Sequence, residues 1–160
     1  MNRWWVFLMV LVAYIYISYY YRYPSKVSIL QTSLNRFDLN LFHEKQPILL
    51  EDAVKDSQEL TNAWFKWNVK RPWSQILPEQ WMTNKYKYLM IHPQEPTEVF
   101  LYPPNQPWKD NQPDPDKTVI ILKLKAHQLL IVPYHWKWMI ETEKKIEFTG
   151  IHDAITWILP

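Results

Sequence analysis

Five histidines and sixteen carboxylates carry the acid–base or metal chemistry open to this 160-residue chain. Histidine beside a carboxylate is the pairing that moves protons or holds a metal ion. Stretches that bring them together in sequence include His92-Pro93-Gln94-Glu95 and His152-Asp153. Neighbours on a strand point to opposite faces, so His152 and Asp153 would not share a site there. Glu141, Glu143 and Glu147 sit among lysines, as solvated strand residues do, and no Gly-x-Ser-x-Gly nucleophile motif is present. The absence of cysteine removes thiol catalysis, disulfides and thiolate zinc sites. A single glycine, Gly150, leaves no room for a dinucleotide fingerprint or a P-loop. The net charge of +2, with both signs interspersed, is no footprint for nucleic acid, although ten tryptophans could stack on bases.

These residues need elements to position them, and the first element stands apart. Trp4 to Tyr21 contains no charged side chain and one serine. As a helix it would run about 27 Å, enough to cross a bilayer core. Trp4 and Trp5 at one end and Tyr19, Tyr20 and Tyr21 at the other suit the two headgroup belts. Residues 1–23 are therefore expected to anchor the chain in a membrane through residues 4–21. A cleaved secretory signal would have a shorter apolar core and small residues at the cut, where this chain reads Ser-Tyr-Tyr-Tyr-Arg. Arg22, Lys26 and Arg36 follow the anchor, against Arg3 and the α-amine before it, which points to a cytosolic C-terminal domain. The lack of cysteine and of glycosylation sequons agrees with that side.

Residues 24–43 read as a connector with a short helical turn region over 35–45, and 44–160 as one β domain. Ile48-Leu49-Leu50 suits an extended segment. A helix is expected over 55–70: Asp56 or Ser57 can cap it, and Leu60, Ala63, Trp64 and Trp67 recur at helical spacing up to Pro72. Strands are expected at 85–92, 97–103, 117–125, 128–133, 135–143 and 145–150, and 152–159 closes the chain as strand or short helix. The proline-rich stretch 103–116 must be a surface loop. With thirteen prolines and one glycine, turns that need positive φ should fall mainly to asparagine and aspartate.

Three stretches carry a resemblance. "VFLYPPNQ" (99–106) resembles the strand and double-proline corner of the cupin-like, JmjC-type dioxygenase fold, and "LKAHQLLIVPYHWKWMIE" (124–141) resembles that family's later segment. "EKQPILLEDAVKD" (44–56) looks like its entry strand, and the three occur in family order. With its anchor, low glycine and high Tyr/Trp content, the chain also resembles small membrane-anchored cupin-like proteins of giant DNA viruses. The resemblance implies a mainly β fold: a single transmembrane helix, then a small double-stranded β-helix barrel with one or two short helices, short for the complete family fold. The membrane would be that of a virion or a host.

Active members of that family hold iron(II) with two histidines and one carboxylate. Here the first ligand region reads "EQWMTNKY" (79–86), with Trp81 or Thr83 near the ligand positions, and the second histidine's place is taken by Trp138. An indole nitrogen only donates and cannot ligate a metal. If 134–140 is a strand, Trp136, Trp138 and Ile140 face the core and His135 faces outward. The five histidines then read as ordinary surface residues. Trp138, with Trp81, would fill the emptied site. The expectation is accordingly no catalytic residue, no cofactor and no metal, in a membrane-anchored structural or interaction module. Its contacts with a protein partner would run through exposed aromatics such as Trp108, or Trp64 and Trp67. Two alternatives stand beside it. One is a hydroxylase with a rearranged site using His92, His135, Glu95 or Glu98. The other is a metal-free binder of a small ligand or lipid headgroup inside the barrel.

Overall fold

The computed structural model describes residues 3–74, 79–141 and 145–158. The chain is mainly β with an apolar N-terminal helix, α1 (Arg3–Tyr20). Next come β1 (Leu30–Thr32), two 3-10 turns (Leu34–Arg36 and Leu39–Glu44), β2 (Ile48–Leu50) and α2 (Ser57–Trp64). The core strands are β3 (Val69–Trp73), β4 (Met82–Thr83), β5 (Tyr88–Pro93) and β6 (Thr97–Tyr102). A small ribbon, β7 (Trp108–Lys109) with β8 (Gln112–Pro113), lies in the proline-rich loop. The chain then returns through β9 (Ile120–Leu124), β10 (Leu129–Pro133), β11 (Lys137–Ile140) and β12 (Ile146–His152), and ends in α3 (Ala154–Ile158).

The path is one long hairpin wound over two sheets. Antiparallel pairs nest from the outside inward: β3 with β12, β4 with β11, β5 with β10, and β6 with β9. The outgoing arm alternates between sheets and the returning arm retraces it. The result is a six-stranded sheet ordered β1-β2-β10-β5-β12-β3 and a four-stranded sheet ordered β4-β11-β6-β9. Among the described residues the two sheets do not close on each other, so the barrel implied by the resemblance is not formed. The edges explain this. β4 is two residues long, and β3 carries Pro72, which has no N–H for a ladder.

Strict alternation along the central strands builds two cores. Leu49, Leu89, Ile91, Leu130, Val132, Ile146 and Phe148 point toward the four-stranded sheet and meet Val99, Leu101, Leu124, Trp138 and Ile140. Their neighbours Ile48, Leu50, Met90, Leu129, Ile131 and Ile151 point the other way, onto Phe42, Val54 and Phe65. Strands buried on both faces read as continuous apolar runs, which is why "LLIVP" carries no polar alternation.

α2 is shorter than its periodicity predicts. Asp56 caps it, accepting from the Gln58 and Glu59 amides at 2.8 and 3.0 Å, but the helix stops at Trp64. Residues from Val69 leave the helical pattern to pair with β12. Trp64 stacks on Phe37, whereas Trp67 is 91 % exposed. β1 falls in the stretch expected as connector, where three residues are too few to show a pattern. The positive φ angles fall on Lys45, Glu79, Asp110, Asn111, His127 and His135, so asparagine and aspartate take only part of that role.

Candidate functional site

β11 turns Trp138 and Ile140 into the inter-sheet core, and Trp136 just before it points the same way, as the alternation predicts. Trp138 is cross-strand partner to Met82, and Lys137 to Thr83. The early and late regions where the resemblance would place metal ligands are thus paired across β4 and β11. The residues present do not fit an iron ion. Trp138 is 3 % exposed with its ring 5.3 Å from that of Phe148, and its indole offers no lone pair. Thr83 is exposed. Trp81 does not join Trp138: Met82 takes the inward place, and Trp81 lies against Tyr102 and Trp108 at 6.4 and 5.7 Å. The expectation that both tryptophans fill the interior holds for Trp138 alone.

The histidines separate. His92 is 2 % exposed rather than a surface residue. Its Nε2 lies 2.9 Å from the Val54 carbonyl, which only accepts, so Nε2 donates. Its Nδ1 faces Glu147 at 3.3 Å and the Gln94 amide at 3.4 Å. His152 is also buried, with Nδ1 3.2 Å from the Thr156 carbonyl, and burial lowers its pKa. His135 does not lie on a strand. It occupies the turn before β11 at φ 64°, stacked on Tyr134, with its pKa lowered by burial and by the nearby Lys137 charge. Glu95 is exposed, and Glu98 pairs with Lys123 at 3.1 Å. Among the described residues no three histidine, aspartate or glutamate side chains gather where they could hold a metal.

The outer face of the four-stranded sheet carries an aromatic box. Lys137 is only 8 % exposed, and its Nζ lies 4.9 Å from the Trp108 ring and 6.0 Å from that of Tyr102. Tyr102 holds the proline-rich loop over this face, donating to the Pro107 carbonyl at 2.7 Å and accepting from the Asp114 amide at 3.3 Å. Trp108 is therefore half-buried packing, not the free aromatic its loop position suggested.

The third feature is the seat of α1. Tyr20 is buried against Tyr134 and donates to Asp153; Tyr16 donates to the same carboxylate at 3.3 Å. Lys87 closes on Asp153 at 3.5 Å, and burial lowers the Lys87 pKa. Lys45 donates to the Tyr19 carbonyl and, at 2.8 Å, to that of Arg22, capping the helix end. His43 Nδ1 sits 3.2 Å from the Tyr19 hydroxyl. Between helix and domain lies a cavity of about 540 Å³ lined by Val12, Ile15, Tyr16, Tyr19, His43 and Lys87, among others.

The chain matches no family model, no curated protein and no solved structure.

Its own geometry therefore carries the functional reading, and the helix–domain junction was the part hidden in the sequence. His43 and His152-Asp153 looked like isolated polar residues, and 137 positions separate Tyr16 from Asp153. The one available signal was the tyrosine cluster at the end of the apolar stretch. A headgroup belt explains those rings as well as a protein contact does.

Proposed function

We propose that this chain is a membrane-anchored, non-catalytic module of the cupin-like class, serving as a structural or interaction domain held at a bilayer surface. The observation that carries the reading is Trp138. Where the resemblance would place a metal-binding histidine, an indole fills the space between the sheets against Phe148. An emptied site would be a cavity, at about 24 cal/mol per Å³, and the indole removes that penalty. The nested hairpin with alternating sheets supports the cupin-like part, since jelly-roll folds are wound this way.

Two observations support the anchor. α1 is long and apolar enough to cross a membrane, and only 6 % of that span is buried, which favours an anchor over a core helix. Cleavage behind it would strip Tyr20 from a buried seat and leave Asp153 without two of its partners. The basic residues after the helix favour a cytosolic β domain. Among the large aromatics of the domain, Trp67 stands out into solvent beside exposed Val69, and this is the face offered to a protein partner.

The test is metal content and turnover of the full chain in detergent after incubation with excess iron(II) and 2-oxoglutarate. No retained iron, no turnover and a cooperative melt are expected. One iron per chain with 2-oxoglutarate consumption would restore the hydroxylase with a rearranged site.

A further inference from the structure

The cavity between α1 and the β domain has two unlike walls. Val12 and Ile15, with the ring faces of Tyr16 and Tyr19, form an apolar side along the helix. His43 and Lys87 form a polar side on the domain, with the Lys87 ammonium as its positive charge. Lys87 is partly neutralised by Asp153, but that carboxylate is itself engaged by two tyrosine hydroxyls, and Lys45 holds its Nζ over the Tyr19 ring, 3.8 Å from the centroid. Seven residues of helix separate Val12 from Tyr19, about 10 Å along the axis. If Tyr19 to Tyr21 mark the headgroup level, Val12 lies at the depth of the acyl chains. The cleft therefore runs from headgroup to hydrocarbon, with positive charge at the polar end and aliphatic side chains below.

We infer that this cleft holds one anionic phospholipid of the surrounding leaflet. Its phosphate would sit at His43 and Lys87, and one acyl chain along Val12 and Ile15. The inference rests on the membrane-anchor reading. A chain-length apolar wall next to a lysine and an imidazole matches a lipid better than a soluble anion, which would leave the aliphatic wall unused. Basic pockets beside transmembrane helices take lipid headgroups for this reason, each nearby cation being worth about fivefold in affinity.

The experiment places the full chain in nanodiscs of phosphatidylcholine with a minor share of phosphatidylglycerol. Spin-labelled lipids of each headgroup then report the motionally restricted fraction. Phosphatidylglycerol should be restricted in preference to phosphatidylcholine. Lys87→Gln should reduce that preference about fivefold, and His43→Ala should weaken it. Ile15→Trp fills the cleft from the lipid side without touching a charge, and should release the bound lipid while the domain melts as before. Equal restriction of the two lipids, or a preference unchanged in both Lys87→Gln and Ile15→Trp, overturns the site. Alkaline carbonate extraction separates the two readings. A chain released from membranes overturns the anchor and the lipid site together, whereas a retained chain without headgroup preference overturns the lipid site alone.

Discussion

Gly150 is the only glycine, and its position on β12 shows why no larger residue is there. A Cβ at this point would lie 2.3 Å from the Tyr86 ring, which stacks on Trp73 and meets His152 edge-on. The ring cannot withdraw without leaving both neighbours. Gly150→Ala should lower stability by about 1–3 kcal/mol in denaturant titration. The loss should shrink in a Tyr86→Ala background, because the two changes share one contact. Lys137 makes a second residue-scale case. Burial lowers its pKa from the ordinary 10.5, so the unfolded state holds this proton more tightly than the folded state. Its desolvation penalty is complete below the depressed folded pKa and fades as pH rises toward 10.5. Lys137→Met keeps the stem packed between Tyr102 and Trp108 and removes the charge. The variant should melt above the parent at pH 7, with the gap narrowing as the pH approaches 10.5.

At the scale of elements, caps and edges decide where the regular structure stops. α2 is a two-turn helix, too short to be stable alone, and depends on the Asp56 cap and on Trp64 packing over Phe37. Asp56→Ala should cost about 1 kcal/mol and show as faster amide exchange across Ser57–Trp64. The strands behave differently, because their partners are remote. β5 is held between β10 and β12, and its penultimate residue, His92, ties the loop that carries Val54 onto the six-stranded sheet. β3 and β4 are the weak edges. Among the described residues each has a single pairing, with β12 and β11 respectively.

For the whole molecule, the decisive contact is between the apolar helix and the domain behind it. Asp153 is the hub, receiving Tyr16, Tyr20 and Lys87 at once. Removing it should loosen the seat without unfolding the sandwich, whose cores lie elsewhere. In nanodiscs, Asp153→Ala should speed tryptic cleavage after Arg22 and Lys26, in the segment between α1 and β1, several-fold over the parent. The melting temperature of the β domain should stay close to that of the parent. Unchanged cleavage would mean that the helix is held by the bilayer and not by the domain.

Local chemistry made some features legible in the sequence itself. The charge-free run of Trp4 to Tyr21 announces the apolar helix, Asp56 announces the start of α2, and unbroken runs such as "LLIVP" announce strands buried on both faces. The inward placement of Trp138 also followed, since a two-residue period leaves one choice once Trp136 and Ile140 must be buried. What the tertiary structure alone decided depends on residues far apart in the chain. The end of α2 at Trp64 depends on pairing with β12. The outward turn of Trp81 depends on Met82 taking the place opposite Trp138, and the burial of His92 depends on its partner in Val54. Sheet closure and the seat of α1 belong to the same class. A propensity reads only a few neighbouring residues, whereas a register or a long-range hydrogen bond is set when the whole chain packs, and the competition among partners is settled only then.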